Sequence, residues 1–213
     1  MNIIHWNILD EKRKSILPLL KTLSQEESFY LAGGTGLALM IGHRDSIDFD
    51  FFKQGDFDTD VFLTKLEVVF SGYKLVVTQK EKNTISCIVD DTIQLSFFGF
   101  KYKVLKPFIE TEYFNIASIE DIACMKFSAI LSRSLEKDYV DLYFILQNFD
   151  LKTLIDISLE KYENIDPALI LKSLTYFDDV IQEPIIFKEN HEISFDAVKD
   201  FLRTVVKGYY ELK

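Results

Sequence analysis

Several things are scarce in this 213-residue chain, and each scarcity excludes something. Cys87 and Cys124 are the only cysteines, which rules out a disulfide framework and suggests no zinc site. The histidines number three, and His5 and His191 stand alone in the sequence. No apolar run reaches the roughly 18–20 residues that a bilayer-crossing helix needs. The first residues, MNIIHWNILDEKRK, place their charges after a short apolar stretch, which is not the layout of a secretory leader. A cytoplasmic protein without membrane attachment is therefore expected. Repeats, low-complexity tracts and long linkers are absent from the sequence. Positive charge is also in short supply, at 24 Lys and Arg against 34 Asp and Glu, a net charge of −10. Such a balance argues against a generic nucleic-acid binder. Contact with RNA would fall to local groups such as Lys12, Arg13, Lys14 and Lys21, or Lys101, Lys103 and Lys106. Both sets read better as solvated helix and loop surface.

Apolar material is plentiful. The chain is 48% hydrophobic and 14% aromatic, enough for one large domain or two small ones. Its character changes near residue 115. Residues 1–115 carry 13 basic and 16 acidic side chains, and the rest carry 11 and 18. The first part mixes periods. Ile16, Leu17, Leu20 and Leu23 give helical spacing over residues 10–24, with Pro18 marking a break unless it lies in a first turn. Residues 34–42 and 59–71 read as further helices. Residues 47–52, 73–79, 84–89 and 93–98 read as strands, with Asp90-Asp91 in a hairpin turn. After residue 116 nearly everything reads as helix, over 118–132, 138–148, 151–162, 167–181 and 195–211. Ser118 and Asp121 form a capping-box variant. Asp166-Pro167 is an N-cap followed by proline at the first helical position. The expected fold is α+β: a mixed sheet with helices over 1–115, then an antiparallel helical bundle over 116–213.

One segment, FYLAGGTGLALMIGHRDSIDFDFF, carries chemistry. Asp48 and Asp50 sit two residues apart on a strand and so share a face, while Ile47, Phe49 and Phe51 take the other. Two adjacent carboxylates repel, and a divalent metal relieves that cost. Mg²⁺ (or Mn²⁺) takes one or two carboxylates together with waters and phosphate oxygens. Gly33, Gly34 and Thr35 open a helix, where backbone N–H groups favour phosphate. Arg44 and Ser46 lie in the turn between, placed to contact phosphate or to brace the turn. A phosphate cradle beside a metal-holding pair suits transfer from a nucleoside triphosphate.

The hydrophobic residue before Gly33-Gly34, the fixed gap and the Asp-Phe-Asp-Phe strand resemble the signature of the polymerase-β-like nucleotidyltransferase superfamily. The fuller pattern of Gly33, Gly34, Thr35, Leu37, Ala38, Leu39, His43, Arg44, Ser46, Asp48, Asp50, Phe51 and Phe52 resembles the AbiEii/AbiGii abortive-infection toxins. Lys126, Arg133, Lys137, Asp138 and Asp141 resemble that family's later lysine and aspartate motifs. The resemblance implies a minimal nucleotidyltransferase fold. It also implies that Lys126 and Asp141 act in catalysis, that Arg133 and Asp138 help to bind nucleotide, and that the helical half completes the site. It further implies an NTP substrate, an RNA acceptor such as tRNA, and an antitoxin protein as partner. Relatives in the superfamily place a third acidic residue where this chain has Ser96, and a serine hydroxyl is a poor Mg²⁺ ligand. Two readings follow. One is a metal-dependent nucleotidyltransferase. The other is a non-catalytic nucleotide- or protein-binding module on the same fold.

Overall fold

The computed structural model describes residues 3–188 and 190–211. The chain divides into two compact units, Met1–Ser118 and Ile119–Lys213. The division falls after Ser118 rather than after residue 115, because a short strand at Asn115–Ile116 belongs to the first unit's sheet.

The first unit opens with α1 (Glu11–Ser15) and α2 (Leu17–Glu27). Pro18 lies in the first turn of α2, where its missing N–H costs nothing, and the chain bends at Ile16 just before it. Then come β1 (Tyr30–Leu31), α3 (Gly33–Ile41), β2 (Asp48–Gln54) and α4 (Thr59–Val69). The side chain of Asp58 caps α4 by accepting from the N–H groups of Asp60 and Val61. Three longer strands follow, β3 (Leu75–Glu81), β4 (Thr84–Val89) and β5 (Ile93–Phe100), and then the short β6 (Ile109–Glu110) and β7 (Asn115–Ile116). Asp90 and Asp91, both at positive φ, make the β4–β5 turn and stay in it.

The seven strands form one mixed sheet in the order β3-β4-β5-β2-β1-β7-β6. β2 and β5 are parallel neighbours, with Asp48 opposite Gln94, Phe49 opposite Leu95, Asp50 opposite Ser96 and Phe51 opposite Phe97. Register and alternation therefore sort the two faces. Phe49, Phe51, Leu95 and Phe97 are fully buried on one face. Phe62 of α4 packs edge-on against Phe97 at 4.8 Å between ring centroids, so α4 covers this face. The opposite face carries Asp48, Asp50 and Ser96. Cys87 is buried in the sheet, and burial pushes its thiol up to about 12. Cys124, on the first helix of the second unit, is likewise buried, and its thiol rises to about 11, chiefly through burial. Neither serves as a nucleophile near neutral pH.

The second unit is a helical bundle of α5 (Ile119–Ser132), α6 (Glu136–Leu146), α7 (Leu151–Lys161), α8 (Pro167–Ser173) and α9 (Phe195–Glu211). Asp150 caps α7 through the N–H of Thr153, and Asp166 caps α8 through that of Ala168. The helix expected over 167–181 stops at Ser173. Phe177 turns inward instead and packs against Tyr139 and Phe195, and those contacts replace two further turns of helix. No helix among the described residues is long and apolar enough to cross a membrane.

Candidate active site

The carboxylate strand and the glycine helix meet in the first unit. Ala32 N–H donates to Asp50 O at 3.0 Å, which sets the start of α3 beside the middle of β2. Gly33 has φ +66°, and a Cβ there would stand 3.1 Å from Asp50 Oδ2. A side chain at 33 would be strained and would press on the carboxylate, so the backbone approaches Asp50 as closely as it does only because the residue is glycine. Gly34 is still more constrained. A Cβ there would lie 2.6 Å from Arg44 Nη2, so the guanidinium occupies the space a side chain would fill. Arg44 is buried, and its Nη1 donates to Asp45 O at 3.0 Å.

Thr35 faces inward, at 2% exposure. Its hydroxyl donates to Asp48 O and lies 2.7 Å from Ser46 Oγ. Since the threonine's one proton is directed at the carbonyl, Ser46 is the donor between the two hydroxyls. Thr35 and Ser46 thus brace the first turn of α3 against the start of β2. The first turn of α3 thus lies against the buried Arg44 guanidinium and the half-buried Asp50, with Asp48 two residues away on the same strand face.

Ser96 sits directly opposite Asp50 on β5, and Ser86 sits opposite Ser96 on β4. Ser86 Oγ donates to Ser96 Oγ at 3.2 Å, and both are buried. Among the described residues no cluster of three or more His, Cys, Asp or Glu is placed to hold a metal ion. Two half-buried carboxylates on one strand face still match what Mg²⁺ asks of a protein, with water and phosphate oxygens completing the shell. The donor set therefore fits one divalent ion held by Asp48 and Asp50.

In the second unit the predicted residues converge on one another. Lys126 Nζ lies 2.8 Å from Asp138 Oδ1 and 2.5 Å from Asp141 Oδ2. Arg133 Nε lies 3.1 Å from Asp138 Oδ2. The two aspartate side chains are fully buried and that of Lys126 nearly so, whereas Arg133 is 56% exposed. Lys137 stands apart from this group and pairs with Glu183 at 2.9 Å. A second buried pair, Lys161 with Asp121 at 2.7 Å, was not singled out from the sequence. Forty residues separate its members, and no local spacing rule links them.

The fold is shared with solved structures of nucleotidyltransferases. MenT4, a nucleotidyltransferase toxin of Mycobacterium tuberculosis, superposes with a TM-score of 0.61 at 14% identity, over 94% of this chain and 83% of its own. JHP933 of Helicobacter pylori superposes at 0.57 with 16% identity, over 95% and 94%. At such identities these likenesses establish the fold. Residues 18–206 match the family described as "Nucleotidyl transferase AbiEii toxin, Type IV TA system", and the chain belongs to that family. An uncharacterized protein of Aquifex aeolicus is 36% identical over 216 residues, spanning 95% of this chain and 98% of that one.

Proposed function

We propose that this protein is a metal-dependent nucleotidyltransferase that moves a nucleoside monophosphate from an NTP to an acceptor hydroxyl, on tRNA or another RNA, and that an antitoxin protein restrains it. The observation that carries the reading is the Asp48–Asp50 pair, sharing one face of β2, with Asp50 beside Gly33. Family membership supports nucleotidyl transfer as the class of reaction.

Asp48 and Asp50 would hold Mg²⁺ or Mn²⁺, and such an ion, when bound, draws negative charge from the triphosphate oxygens. The N–H groups of Gly34 and Thr35 and the Arg44 guanidinium bind phosphate oxygens. Thr35 and Ser46 keep those groups in place through their hydroxyls. The acceptor hydroxyl gives up its proton to water, its oxygen forms a bond to the α-phosphorus, the bond from that phosphorus to the α–β bridging oxygen breaks, and pyrophosphate leaves. Lys126, Arg133, Asp138 and Asp141 lie in the family-matched segment, and the reading gives them a part in transfer. Full burial gives Asp141 a positioning part, exerted through Lys126, rather than direct contact with an acceptor.

The test is incubation with each labelled NTP, Mg²⁺ or Mn²⁺, and total RNA. Labelled RNA is expected with at least one NTP. Tight, metal-dependent NTP binding without transfer to any acceptor would favour the second reading, a non-catalytic binding module. Ser96 is the observation behind that reading, since a hydroxyl stands opposite Asp50.

Ser96→Asp separates the two states of the site. A carboxylate beside Asp50 raises the charge offered to a cation, so Mn²⁺ affinity should rise by about tenfold on the scale of one charge-assisted contact. Without metal the same buried carboxylate should cost several kcal/mol, about the penalty for an unpaired buried charge. Added Mn²⁺ should therefore raise the melting temperature of the variant more than that of wild type. An equal Mn²⁺ response in both proteins would mean that Ser96 does not address the metal position.

A further inference from the structure

The start of the carboxylate strand is held by a residue from outside the glycine–aspartate motif. Arg13, on α1, is 6% exposed although it carries a permanent charge. Its Nε donates to Ile47 O at 2.8 Å and its Nη2 donates to Thr92 O at 2.9 Å. Its Nη1 pairs with Asp10, whose other carboxylate oxygen accepts from the Arg13 backbone N–H at 2.8 Å. Ile47 immediately precedes β2 and Thr92 immediately precedes β5. One guanidinium therefore ties together the starts of the two parallel strands that carry Asp48, Asp50 and Ser96. These bonds bridge 34 and 79 residues of sequence, so they are tertiary links and not local caps.

Their position bears on the site. Ile47 closes the turn that carries Arg44 and Ser46, and Asp48 is the next residue. The other end of that turn is reached from the same N-terminal segment, where His5 N–H donates to Leu39 O at 2.8 Å near the end of α3. Residues 5–13 thus grip both sides of the connection between the glycine helix and the carboxylate strand. The family match begins at residue 18, so this grip lies before the shared segment.

We infer that Arg13 is a positioning residue of the candidate site: its fork fixes the starts of β2 and β5, and through them the separation of the Asp48–Asp50 pair from the Arg44–Ser46 turn. This rests on the metal-dependent reading given under Proposed function. Lysine cannot replace the fork, because one ammonium cannot reach two carbonyls in the fixed planar geometry of a guanidinium. Asp10 orients the fork from the third nitrogen and caps α1 at the same time.

The experiment compares full-length wild type with Arg13→Met, which keeps the apolar stem, and Arg13→Lys. Leu23→Ala is the control, a buried truncation on α2 that touches neither carbonyl. Two readouts are taken. One is amide hydrogen exchange across residues 42–50 and 92–96 without ligand. The other is Mn²⁺ affinity by electron paramagnetic resonance, alone and with each NTP. Arg13→Met should speed exchange in those two segments by about tenfold or more and weaken Mn²⁺·NTP binding by a similar factor, the worth of a charged hydrogen bond. Arg13→Lys should fall between it and wild type. Leu23→Ala should lower global stability without a selective change in either segment or in Mn²⁺ affinity. Exchange unchanged in Arg13→Met would overturn the grip. Faster exchange with unchanged Mn²⁺ affinity would overturn the positioning role. Wild type that binds no Mn²⁺ with any NTP would overturn the metal reading and the positioning role together, and the exchange result would still report whether the grip exists.

Discussion

Asp48→Asn and Asp50→Asn are each expected to reduce metal-dependent transfer by at least about a hundredfold, since a bound ion contributes several kcal/mol of charge stabilisation in such sites. An amide carries no charge and holds Mg²⁺ weakly, and among the described residues no third carboxylate stands by to compensate. The fold should persist. Both side chains are half-buried, and Asp48→Asn removes one of two neighbouring carboxylates that repel when no metal is bound. The melting temperature of Asp48→Asn without metal should therefore hold or rise slightly, while in both variants the rise caused by added Mn²⁺ should disappear. The measurement is a thermal scan with and without Mn²⁺, beside the labelled-NTP assay. Variants that retain wild-type transfer, or that still gain stability from Mn²⁺, would remove Asp48 and Asp50 from the metal site.

Lys126→Met should have the largest effect on stability. Lys126 holds two fully buried aspartates, and its loss leaves Asp138 with only the half-exposed Arg133 and takes the Lys126 ion pair from Asp141. Breaking a buried pair by removing one partner costs about 3–5 kcal/mol. Arg133→Met should cost under about 1 kcal/mol, because an exposed ion pair gains little over water. Urea unfolding with intrinsic fluorescence would read both values. The triple change Lys126→Met, Asp138→Asn, Asp141→Asn should recover much of the loss, since it removes the charges together rather than stranding one sign. If Lys126→Met unfolds like wild type but loses transfer, the lysine acts in the chemistry more than in the bundle. If the triple variant is no better than the single one, the network is not the source of the cost.

Different parts of the architecture were legible to different degrees, for physical reasons. The long strands and most helices follow from periodicity, and Asp58, Asp150 and Asp166 cap their helices where such residues are placed to do so. The two-residue strands β1, β6 and β7 left no alternation to read, since two residues define no period. Residues 174–181 keep an apolar spacing compatible with a helix. There, burial of Phe177 against Tyr139 and Phe195 prevails over local propensity.

By itself the sequence determined the chemistry on offer: two carboxylates on one strand face, two glycines opening a helix, a serine where a third acid was expected, and a family pattern over roughly residues 28–147. Those are properties of residue type and short spacing, and the pleat of a strand converts spacing into a shared face without further help. The tertiary structure alone decided who stands next to whom. Pairing β2 with β5 put Ser96 opposite Asp50, and folding α1 onto the sheet brought Arg13 to carbonyls 34 and 79 residues away. Packing α5 against α6 set Lys126 between Asp138 and Asp141, and the bundle closed Lys161 on Asp121. Such partnerships arise from desolvation. A charge taken out of water must find its opposite within a few ångströms, and only the packed chain decides which distant residue supplies it.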